Sequence, residues 1–454
     1  MIAPARVAAY DILSALSAGR ADLPTAIAQA RRRLSDDRDR GLAAEIATGV
    51  ERQRALLDHL IGQCSKRPLD RLDPEIVDIL RLSSYQLIYL DRVPAAAVVD
   101  DAVNLAGMVG KRSASGFVNA VLRTLSRRRR ALPLPVRPSD PDDREKALDY
   151  FSITLSHPRW LADRWYRRLG FAAAEAWMLF NNAAAPLTLR ANRFKTTPEA
   201  LIDRLATFQV VVRAGRFAPD ALIVEEGQPL RAPGSEDGSF VVQDEASQLV
   251  TLLAGARPGP LVLDACASPG AKATAIAASL PASGRLVACD VRGRRIDLLR
   301  RTVRATGAER ISIVQADLGQ PLPFTAQFDC VIVDAPCSGL GTLRRDPDIR
   351  WRRDESDLAA LADDQRHMLR NAAAVVAPGG RLIYATCSSE PEENDQIAAA
   401  FLAEHRRFRA RAANGIHPLL PAAVVDAKGC LRTAPDRHGL EAFFGAVFER
   451  RDHM

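Results

Sequence analysis

Apolar residues recur at helical spacing through the first 126 residues of the chain. In the stretch PARVAAYDILSAL they fall on one side of a helix, and PEIVDILRLSSYQLIYL repeats the pattern. Pro74 suits the first position of that second helix, with Asp73 as its cap. No strand-like alternation interrupts the region. The pattern predicts an all-α domain of about five to seven helices over residues 1–130.

A proline-rich stretch then breaks the helical pattern. ALPLPVRPSDPDDRE, residues 131–145, is the predicted linker. Residues 146–255 mix both patterns, which predicts a small α/β region. SHPRWLADRWYRRLG predicts an amphipathic helix whose Trp160 and Trp165 lie in the core, and residues 185–196 alternate like a strand.

A third pattern fills residues 256–454, where short apolar runs alternate with helical stretches. Runs that are apolar on both faces are typical of a parallel sheet covered by helices on both sides. We therefore predict a multidomain chain that ends in an α/β, Rossmann-like domain. The five runs are LVLD (261–264), RLVACD (285–290), RISIVQAD (310–317), FDCVIVD (328–334) and GRLIYATC (380–387).

Polar residues stand at the end of each of these five runs. They are Asp264, Asp290, Asp317, Asp334 and Cys387. In such a sheet, ligands bind at the carboxyl ends of the strands. Four aspartates at equivalent positions favour a ligand site over packing.

The first run leads directly into DACASPGAKATAIAASL, where Pro269 and Gly270 predict a tight turn and a helix begins near Ala273. Backbone N–H groups at a helix start can hold a carboxylate or a phosphate. The stretch lacks the glycines of a dinucleotide-binding or phosphate-binding loop. A cofactor with an amino-acid carboxylate is therefore favoured, with Lys272 as its cationic partner.

The next two strand ends extend this cofactor site. Asp290 is placed to accept hydrogen bonds from ribose hydroxyls, and Asp317 from an adenine amino group. Carboxylate, ribose and adenine in that order indicate S-adenosylmethionine, although a helix cap remains the competing interpretation at each position. The predicted cofactor site comprises Cys266, Ala267, Ser268, Pro269, Gly270, Ala271, Lys272, Asp290, Asp317 and Asp334.

Composition narrows the class of protein. A chain of 454 residues is too long to fold around a single hydrophobic core, so we expect two or three domains. Its contents of 47% apolar and 26% charged residues are ordinary for a globular protein. We expect no membrane span and no secretion signal. None of the seven cysteines forms a C-x-x-C pair, so we expect no disulfide framework, no metal site and a cytoplasmic location.

The net charge of +7 is concentrated at one end. Residues 1–130 hold 21 Lys and Arg against 15 Asp and Glu, which leaves +6 of the +7 there. Two dense patches, Arg31–Arg33 and Arg127–Arg130, are predicted to contact phosphates, the alternative being solvated helix faces.

Three motifs bring these features together. DACASPGAKAT, DAPCSGLGTLRRDPDIRW and YATCSSEPEEN resemble the motifs of RNA cytosine-C5 methyltransferases of the Sun/Nop2 superfamily. FVVQDEASQLV and PLTLRANRFKT resemble the segments that precede them in that family. The helical region, through DRLDPEIVDILRLSSYQLIYLDRVPAAAVVDDAV and SGFVNAVLR, resembles a NusB-type RNA-binding domain. This pairing is similar to the branch that methylates 16S ribosomal RNA, and it implies a target of the cytosine 967 type.

The resemblance also assigns roles to the cysteines. Carbon 5 of cytosine becomes nucleophilic only after a thiolate adds to carbon 6, so one cysteine must attack and a second group must assist release. The resemblance implies that Cys387 attacks, that Cys337 assists release and that Asp334 binds the N3/N4 edge of cytosine. DNA cytosine methyltransferases attack with a Pro-Cys cysteine, so spacing alone would have assigned the attack to Cys337.

The charged end of the second motif, RRDPDIRW (344–351), is expected to form a loop that binds RNA next to a base flipped out of its helix. Arg344, Arg345 and Arg350 would meet phosphates there. Salt pairing with Asp346 and Asp348 is the competing interpretation.

The chain departs from the family pattern at a few positions. Ala271 replaces a second glycine, and Ala273 replaces a threonine, which we expect to weaken cofactor binding at most. HGLEAFFGAVFER replaces a more usual Asp-Gly-Phe-Phe and still predicts a final antiparallel hairpin. Cys266, Cys289 and Cys330 are expected to be structural thiols.

Two other functions compete with a 16S ribosomal RNA methyltransferase. One is a methyltransferase for transfer RNA, and the other is a non-catalytic RNA-binding or antitermination factor. The intact pair of Cys337 and Cys387 argues against the second. The expected partner is RNA, free or in early assembly, and the chain is expected to be a monomer.

Overall fold

The computed structural model describes residues 2–232, 235–325 and 327–452. Contacts divide the chain into two compact units. The first comprises Met1–Ala183 and Leu343–Glu355, and the second comprises Ala184–Thr342 and Ser356–Met454. The second motif of the sequence is therefore shared between the units, because its charged end belongs to the first.

The first unit is helical, as the periodicity predicts. Prolines stand at or next to the first position of several helices, and the Asp22 side chain caps the second by accepting from Thr25 N at 2.9 Å. The apolar faces of the first seven helices meet in one core that includes Ile46, Leu57 and Ile79. The helices are α1 (Pro4–Ser17), α2 (Leu23–Arg31), α3 (Asp37–Arg52), α4 (Arg54–Ser65), α5 (Pro74–Tyr89), α6 (Ala95–Met108), α7 (Ser115–Arg128), α8 (Arg144–Asp149), α9 (Arg159–Leu169) and α10 (Phe171–Asn182).

Helices α9 and α10 come from the predicted α/β region, residues 146–255, and α8 begins in the predicted linker at Arg144, yet all three group with the helical unit. The five-residue turn of π-helix Tyr150–Thr154 separates α8 and α9. Trp165 in α9 is fully buried and meets the ring of Trp177 edge-on at 5.3 Å between centroids. Trp165 is thus a core residue, as expected, whereas Trp160 is half-buried.

The second unit begins with a small antiparallel sheet. Its strand order is β2-β3-β1-β4, and its core includes Leu189, Leu201 and Leu222. All four residues of β1 are buried, so neither face of the strand predicted within residues 185–196 is exposed to solvent. The elements are β1 (Thr188–Ala191), α11 (Pro198–Ala206), β2 (Val211–Ala214), β3 (Ala221–Glu226), β4 (Phe240–Val242) and α12 (Glu245–Leu252).

A larger mixed sheet completes the second unit, and it confirms the predicted Rossmann-like fold. The strand order is β10-β12-β9-β8-β5-β6-β7, with β11 paired to β12. The strands β7, β6, β5, β8 and β9 are parallel to one another. Strand β12 runs antiparallel to both of its neighbours, β9 and β10. The elements are β5 (Leu261–Asp264), α13 (Ala271–Ala278), β6 (Arg285–Asp290), α14 (Gly293–Thr306), β7 (Ile311–Gln315), β8 (Phe328–Asp334), α15 (Ile349–Arg352), α16 (Asp357–Ala374), β9 (Val376–Thr386), α17 (Asp395–Glu404), β10 (Phe408–Arg411), β11 (Leu431–Arg432), α18 (Pro435–His438) and β12 (Phe444–Arg450).

Separate hydrophobic cores cover the two faces of this sheet. One joins it to α12, α13 and α14, and the other joins it to α16 and α17. Burial on both sides explains why the central strands carry continuous apolar runs. Among the described residues, no helix combines the length and apolar character needed to cross a bilayer.

Candidate active site

Parallel strands bring the predicted site residues to one rim of the larger sheet. Asp264, Asp290 and Asp334 are the last residues of β5, β6 and β8, and Cys387 follows the last residue of β9. Asp334 pairs in register with Ala385, two residues before Cys387. Asp317 lies two residues beyond the end of β7, is exposed, and accepts a hydrogen bond from Gly319 N at 2.8 Å.

Two sulfur atoms meet at this rim. The Sγ atoms of Cys337 and Cys387 are 3.3 Å apart, and both side chains are only partly buried. Gly341 N donates to the carbonyl of Cys387 at 2.9 Å, which ties the two loops together. A Cβ atom at Gly341 would lie 2.0 Å from the carbonyl oxygen of Ala442, so only glycine permits this approach.

The environment of Cys337 favours its protonated form. Its hydrogen bond to Cys387, its burial and the negative charges of Cys387 and Glu393 raise the pKa of the Cys337 thiol well above its usual range. A thiol with a raised pKa keeps its proton at neutral pH. The pair can therefore hold one proton on Cys337 beside the sulfur of Cys387.

A salt bridge connects the first motif to the end of β8. Lys272 Nζ donates to Asp334 Oδ2 at 2.6 Å, and the ammonium group lies 5.7 Å from the centre of the Phe443 ring. Burial works to lower the pKa of Lys272, but attraction to Asp334 and the hydrogen bond outweigh it and raise the pKa. Lys272, expected to face a cofactor carboxylate, is therefore a charged partner of Asp334.

Asp264 is a buried carboxyl group beside this salt bridge. Burial and then the negative charge of Asp334 raise the pKa of Asp264 to about 7, although Lys272 works against them. Its Oδ1 accepts from Cys266 N at 3.3 Å. Sequence reasoning noted Asp264 as a strand end but left it out of the cofactor set.

The turn after β5 is tightly constrained. Gly270 has φ +107°, and a Cβ atom there would lie 2.9 Å from Leu299 Cδ1. Helix α13 begins at Ala271, two residues before the predicted start, so Ala271 and Lys272 stand in its first turn. The first N–H groups of a helix have no partner within it, and together with the Lys272 charge they fit an amino-acid carboxylate.

Asp290 supports this turn from the end of β6. It is 5% exposed and accepts from Ser268 N at 3.2 Å and from Val291 N at 2.9 Å. Arg295 Nε lies 3.2 Å from its Oδ2 atom. These contacts show that Asp290 holds the cofactor motif in place, and its predicted bond to a ribose remains a prediction.

Arg350 corrects one prediction. The side chain is fully buried in the first unit, where its Nη1 donates to Ser156 O and to Asn182 Oδ1, both at 3.0 Å. Burial, followed by the charge of Arg52, lowers the pKa of Arg350 to about 9. The predicted phosphate contact of Arg350 is wrong, because the guanidinium is committed to backbone and amide oxygens inside the protein.

The neighbours of Arg350 are also held within the first unit. Asp348 is 1% exposed and pairs with Arg352 Nη1 at 3.0 Å, an arginine that the competing interpretation did not name. The Arg344 guanidinium lies over the Phe180 ring at 4.4 Å. Arg344 and Arg345 are half-buried, and their contact with RNA stays a prediction.

Glu393 is a residue that sequence reasoning missed. It is fully buried, and its carboxylate accepts hydrogen bonds from the residues that follow both cysteines, Ser338 and Ser388. The signal available was its place in the motif YATCSSEPEEN, six residues after Cys387. Nothing in the sequence indicated its partner Ser338, 55 residues away.

Comparison with known protein families covers most of the chain. Residues 250–449 match the family described as 16S rRNA methyltransferase RsmB/F. Residues 3–127 match the NusB family, and residues 157–231 match the RsmF/B-like ferredoxin-like domain.

Individual proteins agree with these matches. The ribosomal RNA small subunit methyltransferase B of Pseudomonas syringae is 33% identical over 408 residues, covering 88% of this chain and 86% of that protein. Its counterpart in Pseudomonas putida is 34% identical over 409 residues, covering 88% of each. The crystal structure of PH0851 has the same fold, with a TM-score of 0.81 at 24% identity over 99% of both chains. The chain therefore belongs to the 16S rRNA methyltransferase RsmB/F family, and it is a methyltransferase.

Proposed function

We propose that the protein transfers a methyl group from S-adenosylmethionine to carbon 5 of a cytosine in 16S ribosomal RNA, through a covalent bond between Cys387 and carbon 6. By family resemblance the target is of the cytosine 967 type. The observation that carries the proposal is the 3.3 Å separation of the Cys337 and Cys387 sulfurs at the rim where the cofactor motif ends.

Cys387 is assigned the attack. Its thiolate bonds to carbon 6 of the ring, and the electrons of the carbon 5–carbon 6 double bond move so that carbon 5 becomes nucleophilic. S-adenosylmethionine, when bound, supplies an electrophilic methyl group. The Lys272 ammonium near the rim stabilises negative charge there, and Cys337 can donate a hydrogen bond to the attacking sulfur.

Cys337 is assigned to release. After methylation, Cys337 gives its proton to the departing Cys387 sulfur and its thiolate takes the proton from carbon 5, while the double bond re-forms and the carbon 6–sulfur bond breaks. Cys337 lies 3.3 Å from the departing sulfur and can exchange a proton with it. Its raised pKa suits this work, because the group holds a proton in the resting enzyme and is strongly basic once it has lost it.

The remaining residues bind and orient. Asp334, which accepts from Lys272 Nζ at 2.6 Å, is assigned to accept from the N4 amino group of the cytosine. The first turn of α13, Lys272 and the buried carboxyl groups of Asp264 and Asp290 fit the amino-acid and ribose parts of the cofactor. Asp317, exposed beyond β7, remains the proposed adenine contact.

The test is bisulfite sequencing of ribosomal and transfer RNA from a strain that lacks the gene. We expect one cytosine of 16S ribosomal RNA to lose its methyl mark, and the purified protein to restore it with S-adenosylmethionine. The Cys387→Ala variant should restore nothing. Loss of a mark on transfer RNA alone would refute the ribosomal target, and restoration by Cys387→Ala would refute the covalent route.

A further inference from the structure

The buried carboxylate of Glu393 has four hydrogen-bond donors around it. Its Oε1 accepts from Ser338 N at 2.7 Å and from Gln365 Nε2 at 2.9 Å. Its Oε2 accepts from the hydroxyl groups of Ser338 and Ser388, the former at 2.5 Å. Both oxygens are thus satisfied by groups of this chain.

Three of these four donors belong to the two loops that carry the thiols of Cys337 and Cys387. Ser338 follows Cys337 directly, and Ser388 follows Cys387 directly. The two serine hydroxyl oxygens are themselves 3.1 Å apart. A single side chain therefore fixes the residues next to both sulfurs.

The helix α16 and strand β9 hold Glu393 in turn. Gln365 of α16 donates to Glu393 and to the carbonyl of Pro336, which precedes Cys337, at 3.0 Å. Tyr384 of β9 donates its hydroxyl to the Glu393 carbonyl at 2.6 Å. The carboxylate thus sits on a rigid support rather than on a mobile surface loop.

Burying this group has an energetic consequence. A carboxylate removed from water is destabilising unless hydrogen bonds replace its hydration. Across the parts of the chain that the structure describes, its hydrogen-bond donors are backbone, hydroxyl and amide groups, with no Lys or Arg among them.

We propose that Glu393 is the positioning residue that sets the distance between the Cys337 and Cys387 sulfurs. The inference rests on the proposed function, in which the two thiols act on one pyrimidine ring. Glu393 itself touches neither the substrate nor the cofactor in this scheme. Its effect is exerted through Ser338 and Ser388.

Two substitutions separate the hydrogen bonds from the charge. In Glu393→Ala both loops lose their anchor, and we expect methylation kcat to fall about 30-fold, as the loss of hydrogen bonds to a charged group predicts. In Glu393→Gln the amide oxygen still accepts from Ser338 N, and the amide nitrogen donates to the serine hydroxyls. This variant should keep kcat within about threefold. KM for S-adenosylmethionine should not change in either, and Glu392→Ala is the matched control.

A second measurement reports the distance between the sulfurs without RNA. Diamide takes one hydrogen from each thiol and is reduced to the hydrazine, while the two sulfurs form a disulfide. Mass spectrometry of the peptide that joins Cys337 to Cys387 measures the rate. We expect fast cross-linking in the wild type, Glu393→Gln and Glu392→Ala, because the two sulfurs start 3.3 Å apart and need only reach the disulfide length of about 2.05 Å. In Glu393→Ala the two loops are no longer anchored together, so cross-linking should be about tenfold slower.

The outcomes distinguish this inference from the function it rests on. If wild-type protein methylates no RNA but cross-linking still depends on Glu393, the function fails and the positioning role stands. If Glu393→Ala methylates and cross-links like the wild type, the positioning role is overturned. Should Glu393→Ala not fold, Ser388→Ala is the second test, because it removes the hydroxyl that joins the Cys387 loop to Glu393 and to Ser338 while the bonds from Ser338 to Glu393 remain. Unchanged rates in Ser388→Ala would then overturn the inference.

Discussion

The two sulfurs at the rim are chemically unequal although they are in contact. Cys337 has a raised pKa, caused first by its hydrogen bond to Cys387 and then by burial. A proton held on Cys337 leaves Cys387 as the better candidate for a nucleophile, since the thiolate is the reactive form. The family resemblance implies these roles, spacing alone would have reversed them, and the assignment stays a prediction.

This assignment predicts opposite results for the two cysteines. Cys387→Ala should abolish methylation and form no covalent complex with RNA, because nothing attacks carbon 6. Cys337→Ala should still attack but fail to release, so that a protein–RNA adduct stable in denaturing gel electrophoresis accumulates. Catalytic turnover of both variants should fall at least about 1,000-fold, the scale for lost nucleophiles and acid–base groups.

The control for this experiment is Cys430→Ala, since Cys430 is partly buried in the same unit and has no proposed role. It should methylate like the wild type. An adduct with Cys387→Ala and none with Cys337→Ala would show that the roles are reversed.

At the level of elements, the strand ends could be read from the sequence and the loops that follow them could not. The periodicity gives β5, β6 and β8 their observed bounds, and it places β7 and β9 with errors at their ends. Local apolar patterns encode such strands directly. Arg350 shows the limit, since the charge pattern around it predicted an RNA contact while its side chain lies buried against Ser156 and Asn182.

Gly341 allows a prediction at this scale. Its backbone joins the Cys337 loop to the carbonyl of Cys387, and a methyl group would overlap the Ala442 carbonyl at 2.0 Å. Gly341→Ala should therefore separate the loops, lower the free energy of unfolding by about 1–3 kcal/mol and reduce methylation at least tenfold. Urea unfolding and a methylation assay measure the two effects.

Gly293→Ala is the matched control, because a Cβ atom at Gly293 meets nothing within 4 Å. It lies in α14 of the same unit and should be neutral or slightly stabilising. Equal behaviour of the two variants would contradict the proposed close contact.

At the scale of the whole molecule, the net positive charge is concentrated in the first unit. Arg31, Arg32 and Arg33 are exposed at and beyond the end of α2, and Arg127–Arg130 are exposed at and beyond the end of α7. Exposed arginines suit phosphate contacts that release counterions, although Arg33 also lies 3.6 Å from Asp11. Their role in RNA binding remains a prediction.

Salt dependence tests that prediction. Replacing Arg127, Arg128, Arg129 and Arg130 with Ala should weaken RNA binding and reduce the slope of log K against log salt by about 0.7–0.9 for each phosphate that is no longer neutralised. The methylation kcat should stay near the wild-type value while KM for RNA rises. Fluorescence anisotropy over a salt series measures the slope.

Arg409→Ala with Arg411→Ala is the control, because both arginines pair with Glu449 on the edge of the larger sheet. That double variant should leave the slope almost unchanged. A slope that responds equally to both sets would mean that net charge, rather than the Arg127–Arg130 patch, governs binding.

The sequence by itself determined the helical character of the first region, the strands β5, β6 and β8, and the rim on which Asp264, Asp334 and Cys387 stand, because periodicity and strand ends are local properties. Only the tertiary structure decided which groups meet there. Ser338 and Glu393 are 55 residues apart, Lys272 and Asp334 are 62 apart, and Arg350 and Ser156 are 194 apart. Such partners are chosen by packing and by the need to satisfy buried polar groups, and neither is written in the spacing of residues along the chain.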